Sequence, residues 1–329
     1  FLHLGLSTNR KIMGMKKKLK GLISATRLLI IVCIFGNVSC KDAPKKASNE
    51  EGEAEMTTAV VDKDNSTFGG LALYTLREAM GSDAKETLKA VSVAGYRYIE
   101  AAGYDNGMFY NMKPEDFKSY LESLNLIPVS THQGAVTLEN ADVMMADVKA
   151  AGFEYFVIPV PPMGLFKVDR DTRYMSMTGG AKSLAEILDT LGAKAKAAGL
   201  KLLYHNHDFE FVEDADGIVT IDYLLDNCNP ELVNFQMDLY WVTKAGADPL
   251  AYFDKYPGRF KIWHVKDMDE QGRFSPVGKG TIDFSRILAE KEKSGMLYYM
   301  VEQDKTFDGL EPLEAIKISH EGLGEFGFN

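Results

Sequence analysis

A single-domain α/β fold, the (β/α)8 or TIM barrel, is what three observations in this sequence predict. Eight short apolar runs rich in aromatic and β-branched residues alternate with longer segments of helical period. They occupy roughly 260 residues, the size and rhythm of such a barrel. Four of the six histidines stand at the ends of the third, fifth and seventh runs, and in a barrel every strand delivers its carboxyl end to one face. A doubly wound open sheet shares the alternation. The gathering of reactive residues at strand ends favours the barrel.

In chain order, residues 1–14 are read as upstream translated sequence, since no start precedes Met13 or Met15. Residues 15–39 read as an export signal: Met15-Lys16-Lys17-Lys18-Leu19-Lys20 is positively charged, and Leu28 to Phe35 is an apolar core short for a bilayer span. It ends at Asn37-Val38-Ser39-Cys40, which resembles a bacterial lipoprotein signal, with Cys40 as the lipidated residue. The expectation is an exported protein, lipid-anchored and facing the periplasm or cell surface, with the anchor on Cys40 as its only membrane contact. Residues 40–66 are polar and acidic, the composition of a disordered tether. The folded barrel is expected over 67–329.

Strands are expected at Leu71–Leu76, Tyr96–Ala101, Ile127–Thr131, Tyr155–Val160, Lys201–His205, Asn234–Met237, Lys261–Val265 and Tyr298–Glu302. Between them, patterns such as Asp83–Val91 and Ala181–Asp189 put Leu, Ile, Val and Ala on one helical face. Gly95, Gly152, Gly199 and Gly258 precede strands where a helix ending in the left-handed conformation wants glycine. The longest interruption, Pro161 to Met177, follows the fourth strand and reads as a lid over the barrel mouth.

Charge excludes one class of partner. Seven of the 37 Lys and Arg lie in residues 1–39, leaving 30 against 47 acids in the rest. A phosphate-backbone binder needs a basic face, so nucleic acid is not expected. Of three cysteines only Cys228 stays unassigned, so any metal must be held by His, Asp and Glu.

Strands five to eight end in His205, Asp238, His264 and Glu302. Two imidazoles and two carboxylates around one point suit one divalent ion, Mn, Zn or Co, with positions left for substrate oxygens. A lone carboxylate at such a place more often caps the next helix, and a lone histidine is more often a hydrogen-bonded core residue. It is their convergence that points to a metal.

From about Phe68 onward the chain resembles the sugar phosphate isomerase/epimerase group of the xylose isomerase-like TIM barrel superfamily (AP endonuclease family 2-like). The residues carrying the resemblance are Gly70–Arg77, Tyr98–Tyr104, Tyr204–Phe211, Met237–Trp241, Trp263–Asp267, Gly278–Phe284 and Val301–Asp304. The resemblance implies a metal held by Glu, Asp, His and Glu from strands five to eight, and Asp238, His264 and Glu302 match the last three. At the first position this chain has His205 or its neighbour His207. Trp241 stands where tagatose-type epimerases carry a histidine, and the missing first glutamate argues against a symmetrical two-glutamate epimerisation.

The expected chemistry is a metal-dependent sugar isomerase or epimerase working through an enediolate on a non-phosphorylated sugar or keto-sugar. A keto-glycoside lyase or an inosose dehydratase-like β-elimination on the same site is the alternative, and a non-catalytic sugar-binding lipoprotein a further one. Glu302 or His207 is the expected base, with Glu100 and His132 as second-face candidates and Lys266 stabilising developing negative charge. Tyr104, Phe166 and Trp241 are the candidate substrate contacts, joined on the long loop by Met163 and Tyr174. No Arg or Lys cluster or phosphate loop stands out, and Gly278-Lys279-Gly280 lacks phosphate-loop spacing. The partner is a small-molecule carbohydrate.

Overall fold

The computed structural model describes residues 67–172, 174–214 and 217–329. The export signal, Cys40 and the tether lie outside the described residues. Eight parallel strands form the barrel: β1 (Gly70–Ala72), β2 (Tyr98–Ala101), β3 (Ile127–His132), β4 (Tyr155–Ile158), β5 (Lys201–His205), β6 (Val233–Asp238), β7 (Phe260–Val265) and β8 (Tyr298–Val301). Each pairs with its sequence neighbours, and β1 closes the ring on β8, with Gly70 beside Met300 and Leu71 beside Val301. Strands covered outside by helices and filled inside must be apolar on both faces. That is why the runs read as continuous rather than alternating.

The core has two parts. Outside the strands, helix side chains such as Phe117, Leu188 and Phe253 pack against Phe156, Tyr204 and Trp263. Inside, Ala72, Val129, Tyr155, Val157, Leu203, Ile262 and Met300 fill the lumen. Side chains two apart on a strand share a face. His205 therefore stands one layer beyond Leu203, His264 beyond Ile262, and Glu302 beyond Met300. The apolar plug is the floor on which a polar layer is built.

Gly95, Gly152, Gly199 and Gly258 take the left-handed conformation, with φ of 96°, 87°, 72° and 79°. The first strand is shorter than expected: only Gly70–Ala72 find partners, and Leu73–Leu76 wind into a 3-10 turn. That turn lets Thr75 Oγ1 accept from the Gln303 amide at 3.0 Å, tying the loops after β1 and β8 together. The fourth strand stops at Ile158, just before Pro159, which has no N–H for a ladder. The long segment after it holds a hairpin, Phe166–Val168 against Met175–Met177.

Candidate metal centre and cleft

The ends of β5 to β8 bring His205, Asp238, His264 and Glu302 together, with one ligand atom from each lying within 4.8 Å of all the others. All four are buried, at 0–4% exposure. Asn206 fixes the spacing between β5 and β6: its Oδ1 accepts from the Asp238 amide at 3.1 Å. Asp238 then divides its two oxygens. Oδ1 accepts from Trp241 N at 3.0 Å and caps the helix Leu239–Lys244, while Oδ2 points into the cluster. Capping and centre-facing roles thus coexist in one carboxylate.

A ring of hydrogen bonds beneath the cluster sets the histidine tautomers. Gln236 Oε1 accepts from His205 Nδ1 at 3.0 Å and from His132 Nε2 at 2.8 Å, so His205 keeps a lone pair on Nε2, 3.9 Å from Asp238 Oδ2. Glu100 Oε1 accepts from His264 Nε2 at 2.6 Å and lies 3.0 Å from His132 Nε2. Its Oε2 accepts from Ser130 Oγ at 2.7 Å and from Gln236 Nε2 at 2.5 Å. Glu100 is 1% exposed and committed on both oxygens. It therefore does not serve the second face of a substrate, as the sequence suggested, but orients the imidazoles. Burial works against its charge, yet His132 and His264 hold it well below the carboxylate range.

Lys266 is no surface lysine. It is 1% exposed, with its Nζ 2.7 Å from Glu302 Oε2, 2.9 Å from Asp238 Oδ2 and 3.1 Å from Asp304 Oδ2. Burial opposes its charge, but Asp238, Asp304 and Glu302 hold it well above the usual ammonium range. His264 Nδ1 lies 3.0 Å from Glu302 Oε2. Burial again opposes charge there, and Glu100 with Glu302 outweighs it, raising the imidazole to about 10. His207 goes the other way: burial, then the Lys266 charge, push it down to about 3.

The donor set fits a divalent cation on two counts. Four carboxylates, Glu100, Asp238, Glu302 and Asp304, outnumber the Lys266 ammonium and the two imidazoles raised beside them, His132 and His264, and burial raises the Asp238 and Asp304 carboxyls, so a cation is what these buried oxygens lack. Asp238 Oδ2 is also buried and takes no hydrogen bond from a neutral donor, its close contact being the Lys266 ammonium at 2.9 Å. Soft thiolates are absent from the cluster, and an imidazole and carboxylate set suits zinc, manganese or cobalt.

The cluster opens into a cleft of about 390 Å³ bordered by His132, His205, His207, Trp241, Glu302 and Asp304 among others. His207 packs on Trp241 with ring centroids 5.3 Å apart, and its Nδ1 has no protein partner. Two expected substrate contacts do not border the cleft. The Tyr104 hydroxyl donates to Asp147 Oδ2 at 2.6 Å and its ring packs on Phe109, in a separate hairpin. Phe166 pairs with Met177 in its own hairpin, and Met175 takes the place at the cleft wall. Met163 and Tyr174 are likewise absent from that wall. The Gly278–Gly280 turn is structural, for the amides of Gly278, Gly280 and Ile282 all donate to the Asp267 carboxylate, at 2.9–3.2 Å. Gln236, Asn206 and Asp304 were missed as site residues. Strand alternation placed Gln236 beside Asp238 on the inner face, a signal that was there to use.

A family model described as xylose isomerase-like TIM barrel matches residues 88–319. Among curated proteins, the chain is similar to an inosose dehydratase of Clostridium perfringens, 32% identical over 169 residues, covering 45% of this chain and 55% of that one. An inosose dehydratase of Lacticaseibacillus casei is 30% identical over 130 residues, covering 34% and 43%. The chain thus spans about half the length of the curated relatives it matches. Among solved structures, a sugar phosphate isomerase/epimerase from Parabacteroides distasonis superposes with a TM-score of 0.68 at 25% identity, covering 80% of this chain and 99% of that one. The IOLI protein with a binding zinc atom superposes with a TM-score of 0.59 at 17% identity, covering 79% and 97%, a likeness of fold.

Proposed function

The chain belongs to the xylose isomerase-like TIM barrel family, and from that premise we propose that it removes the proton beside a carbonyl of a non-phosphorylated sugar or keto-sugar and then eliminates water or an alcohol. The observation that carries this reading is the buried convergence of His205, Asp238, His264 and Glu302 around the Lys266 ammonium at the base of a cleft. His205 through Nε2, Asp238 through Oδ2, His264 through Nδ1 and Glu302 would hold a divalent ion, His264 Nε2 being committed to Glu100. When bound, such an ion supplies Lewis acidity that makes the C–H next to a carbonyl easier to ionise.

The rest falls to the protein's own side chains. Lys266, fixed by three carboxylates, offers positive charge to an oxygen that gains negative charge as the proton leaves. Glu302 or His207 takes that proton, and His207 Nδ1 has no protein group competing for it. The electron pair of the broken C–H bond becomes the new double bond as the β C–O bond breaks. The departing oxygen recovers a proton from the same base or from His132 across the cleft. Trp241 and Met175 wall the ring and shield it from water.

Two points favour elimination over epimerisation. The curated relatives in Clostridium perfringens and Lacticaseibacillus casei are named inosose dehydratases, and Glu100, the candidate for an opposing base, is spent on His264 and His132. Isomerisation needs only one base, and the similarity to the Parabacteroides distasonis protein makes it the second reading. A neutral substrate is supported by the cleft wall, where no Arg or Lys stands among the described residues, the Lys266 ammonium beneath it being already shared by three carboxylates. We also place the protein outside the cytoplasm on a Cys40 lipid anchor, from the composition of residues 15–40. Radiolabelled palmitate should enter the wild type and not Cys40→Ala.

The test of the chemistry is solvent deuterium exchange into ketoses and 3-keto-glycosides, followed by NMR with wild type and Glu302→Gln. Exchange with loss of a β-oxygen substituent is the expected outcome, and a shifted carbonyl would mark isomerisation instead. No exchange into any candidate would sink the reading. Exchange at an unchanged rate in Glu302→Gln would move the base to His207.

A further inference from the structure

A second cavity, of about 630 Å³, lies beside the metal-site cleft and is bordered by the turn after β1 and by the loop Gln303 to Leu313 after β8. The two spaces share Asp304, and their walls come from adjacent residues of the same two segments: Tyr74 and Glu302 on the cleft side, Thr75 and Gln303 on the other. Each alone falls within the range of small-molecule sites, roughly 300–1,000 Å³. Together they exceed what one sugar ring needs.

The wall of this cavity has the character of a sugar site. Leu310 and the part of Phe307 not taken up by Arg273 and Lys305, which lie 4.8 and 5.2 Å from its ring centroid, give apolar surface against which the C–H face of a ring can lie. Gln303 is 3% exposed, and its Oε1 has no hydrogen-bond partner, an arrangement that costs stability unless something donates to it. The amide cannot simply be turned over, because Nε2 donates to the Lys305 carbonyl at 3.2 Å. Arg77 and Lys305 on the wall are outnumbered by Glu78, Asp304, Asp308 and Glu311. An anionic ligand is disfavoured by that balance, and a neutral polyhydroxyl one is not.

We propose that this cavity is a subsite for a second sugar unit, so that the substrate is a keto-glycoside or keto-disaccharide with its reacting ring in the cleft and its neighbouring ring beside Phe307, a hydroxyl donating to Gln303 Oε1. The inference rests on the carbohydrate reading of the cleft and adds the size of the substrate and the side on which it extends. The reacting ring already carries a carbonyl two carbons from its glycosidic carbon, as a 3-keto-glycoside does: the C2–H bond gives its proton to the base, its electron pair becomes the C1–C2 double bond, the glycosidic C–O bond breaks, and the second sugar leaves as an alcohol after taking up a proton, so no oxidant is required.

The experiment compares binding of 3-ketoglucose and fructose with that of the 3-keto forms of cellobiose, maltose, trehalose and sucrose by titration calorimetry, using wild type, Gln303→Leu and Leu313→Trp. Leu313 is an exposed position on the cavity rim, so its replacement narrows the cavity without disturbing the core. Thermal melts confirm that both variants fold. At least one disaccharide should bind wild type about tenfold or more tightly than the monosaccharides. That ratio should fall toward one in Leu313→Trp, and by several-fold in Gln303→Leu, the scale of one hydrogen bond. Monosaccharides that bind as well as every disaccharide would overturn the subsite and leave the cleft reading standing. A preference that survives in both variants would overturn its placement. Binding of neither class would overturn the carbohydrate reading, and the subsite with it.

Discussion

Glu100→Gln is the substitution that asks most of this site, because it changes one atom and disturbs three histidines. Glu100 accepts three hydrogen bonds, from His264 Nε2 at 2.6 Å on one oxygen and from Ser130 Oγ at 2.7 Å and Gln236 Nε2 at 2.5 Å on the other, and His132 Nε2 lies 3.0 Å from the first oxygen. An amide has one oxygen, and it must face the imidazoles, since an NH2 there would meet two donors. Its NH2 then faces Ser130, whose hydroxyl can turn to accept, and Gln236, which must flip its own amide to do so. That flip withdraws Gln236 Oε1 from His205 Nδ1 and His132 Nε2. The tautomer of His205 is released, and the carboxylate that makes His264 a strong base is gone. Losing such an outer partner costs a metal site 10- to 100-fold in affinity, about 1.4–2.8 kcal/mol. Competition against a chromophoric chelator with zinc or manganese measures this directly, and ¹⁵N chemical shifts of the histidine rings report the tautomers. A variant that folds, binds metal within about twofold of wild type and keeps the His205 ring shifts would refute the argument that the ring of bonds beneath the cluster sets its donors.

Lys266→Met should act in two directions at once. With the ammonium gone, Asp238, Glu302 and Asp304 lose their internal counter-ion, so metal affinity should rise roughly tenfold or more, while turnover falls for want of charge on the developing oxyanion. Chelator competition and steady-state kinetics read the two effects, and weaker metal binding would contradict the view that Lys266 and a metal draw on the same carboxylates. Glu210 contributes its own pH dependence to stability. It is fully buried, bonded by the Tyr204 hydroxyl and the His207 amide, and burial raises its carboxyl to about 7. Between the ordinary carboxylate range and pH 7 the folded protein holds a proton that the unfolded chain has released. Stability therefore falls as pH rises through that window, by about 3 kcal/mol in all. Urea midpoints measured from pH 5 to pH 8 should show the slope in wild type and a flatter line in Glu210→Gln. Asp267→Asn should cost about 1–3 kcal/mol in urea denaturation, because its new NH2 faces amide donors of the 278–282 turn, while metal affinity stays unchanged.

The barrel was legible because its evidence is local. Each strand announces itself within a few residues, and period two along β5 and β7 is enough to set His205 beyond Leu203 and Lys266 beyond His264. The candidate ligands follow from strand ends for the same reason. What could not be read was which side chains meet across the lumen. Glu100 and His264 are 164 positions apart, Glu100 and Gln236 136 apart, and nothing in either segment states the shear of the closed barrel that makes them touch. Seen in sequence, Glu100 is a carboxylate at a strand end and so a base. Seen in the lumen, it sits one layer below the cleft with no lone pair to spare. Tyr104 and Phe166 failed for a related reason: each follows a barrel strand, but each is carried off in a two-stranded hairpin whose register depends on turn geometry.

The same cross-lumen contacts bear on how a histidine can stand at the end of β5. A carboxylate there would need only the cation opposite it. An imidazole must also have its ring turned and its proton assigned, and Gln236 does both through the Oε1 that it offers to Nδ1. Gln236 in turn is held by Glu100 through Nε2, and Glu100 is the acceptor for His264. His205 and His264 are thus not two independent ligands but the ends of one chain, His205–Gln236–Glu100–His264, in which each amide or carboxylate has a single workable orientation. Gln236→Leu should therefore weaken metal binding about as much as Glu100→Gln, and the double variant should cost clearly less than the two losses added, since either change alone already frees the chain. Strict additivity in chelator competition would show instead that the two residues support the centre separately.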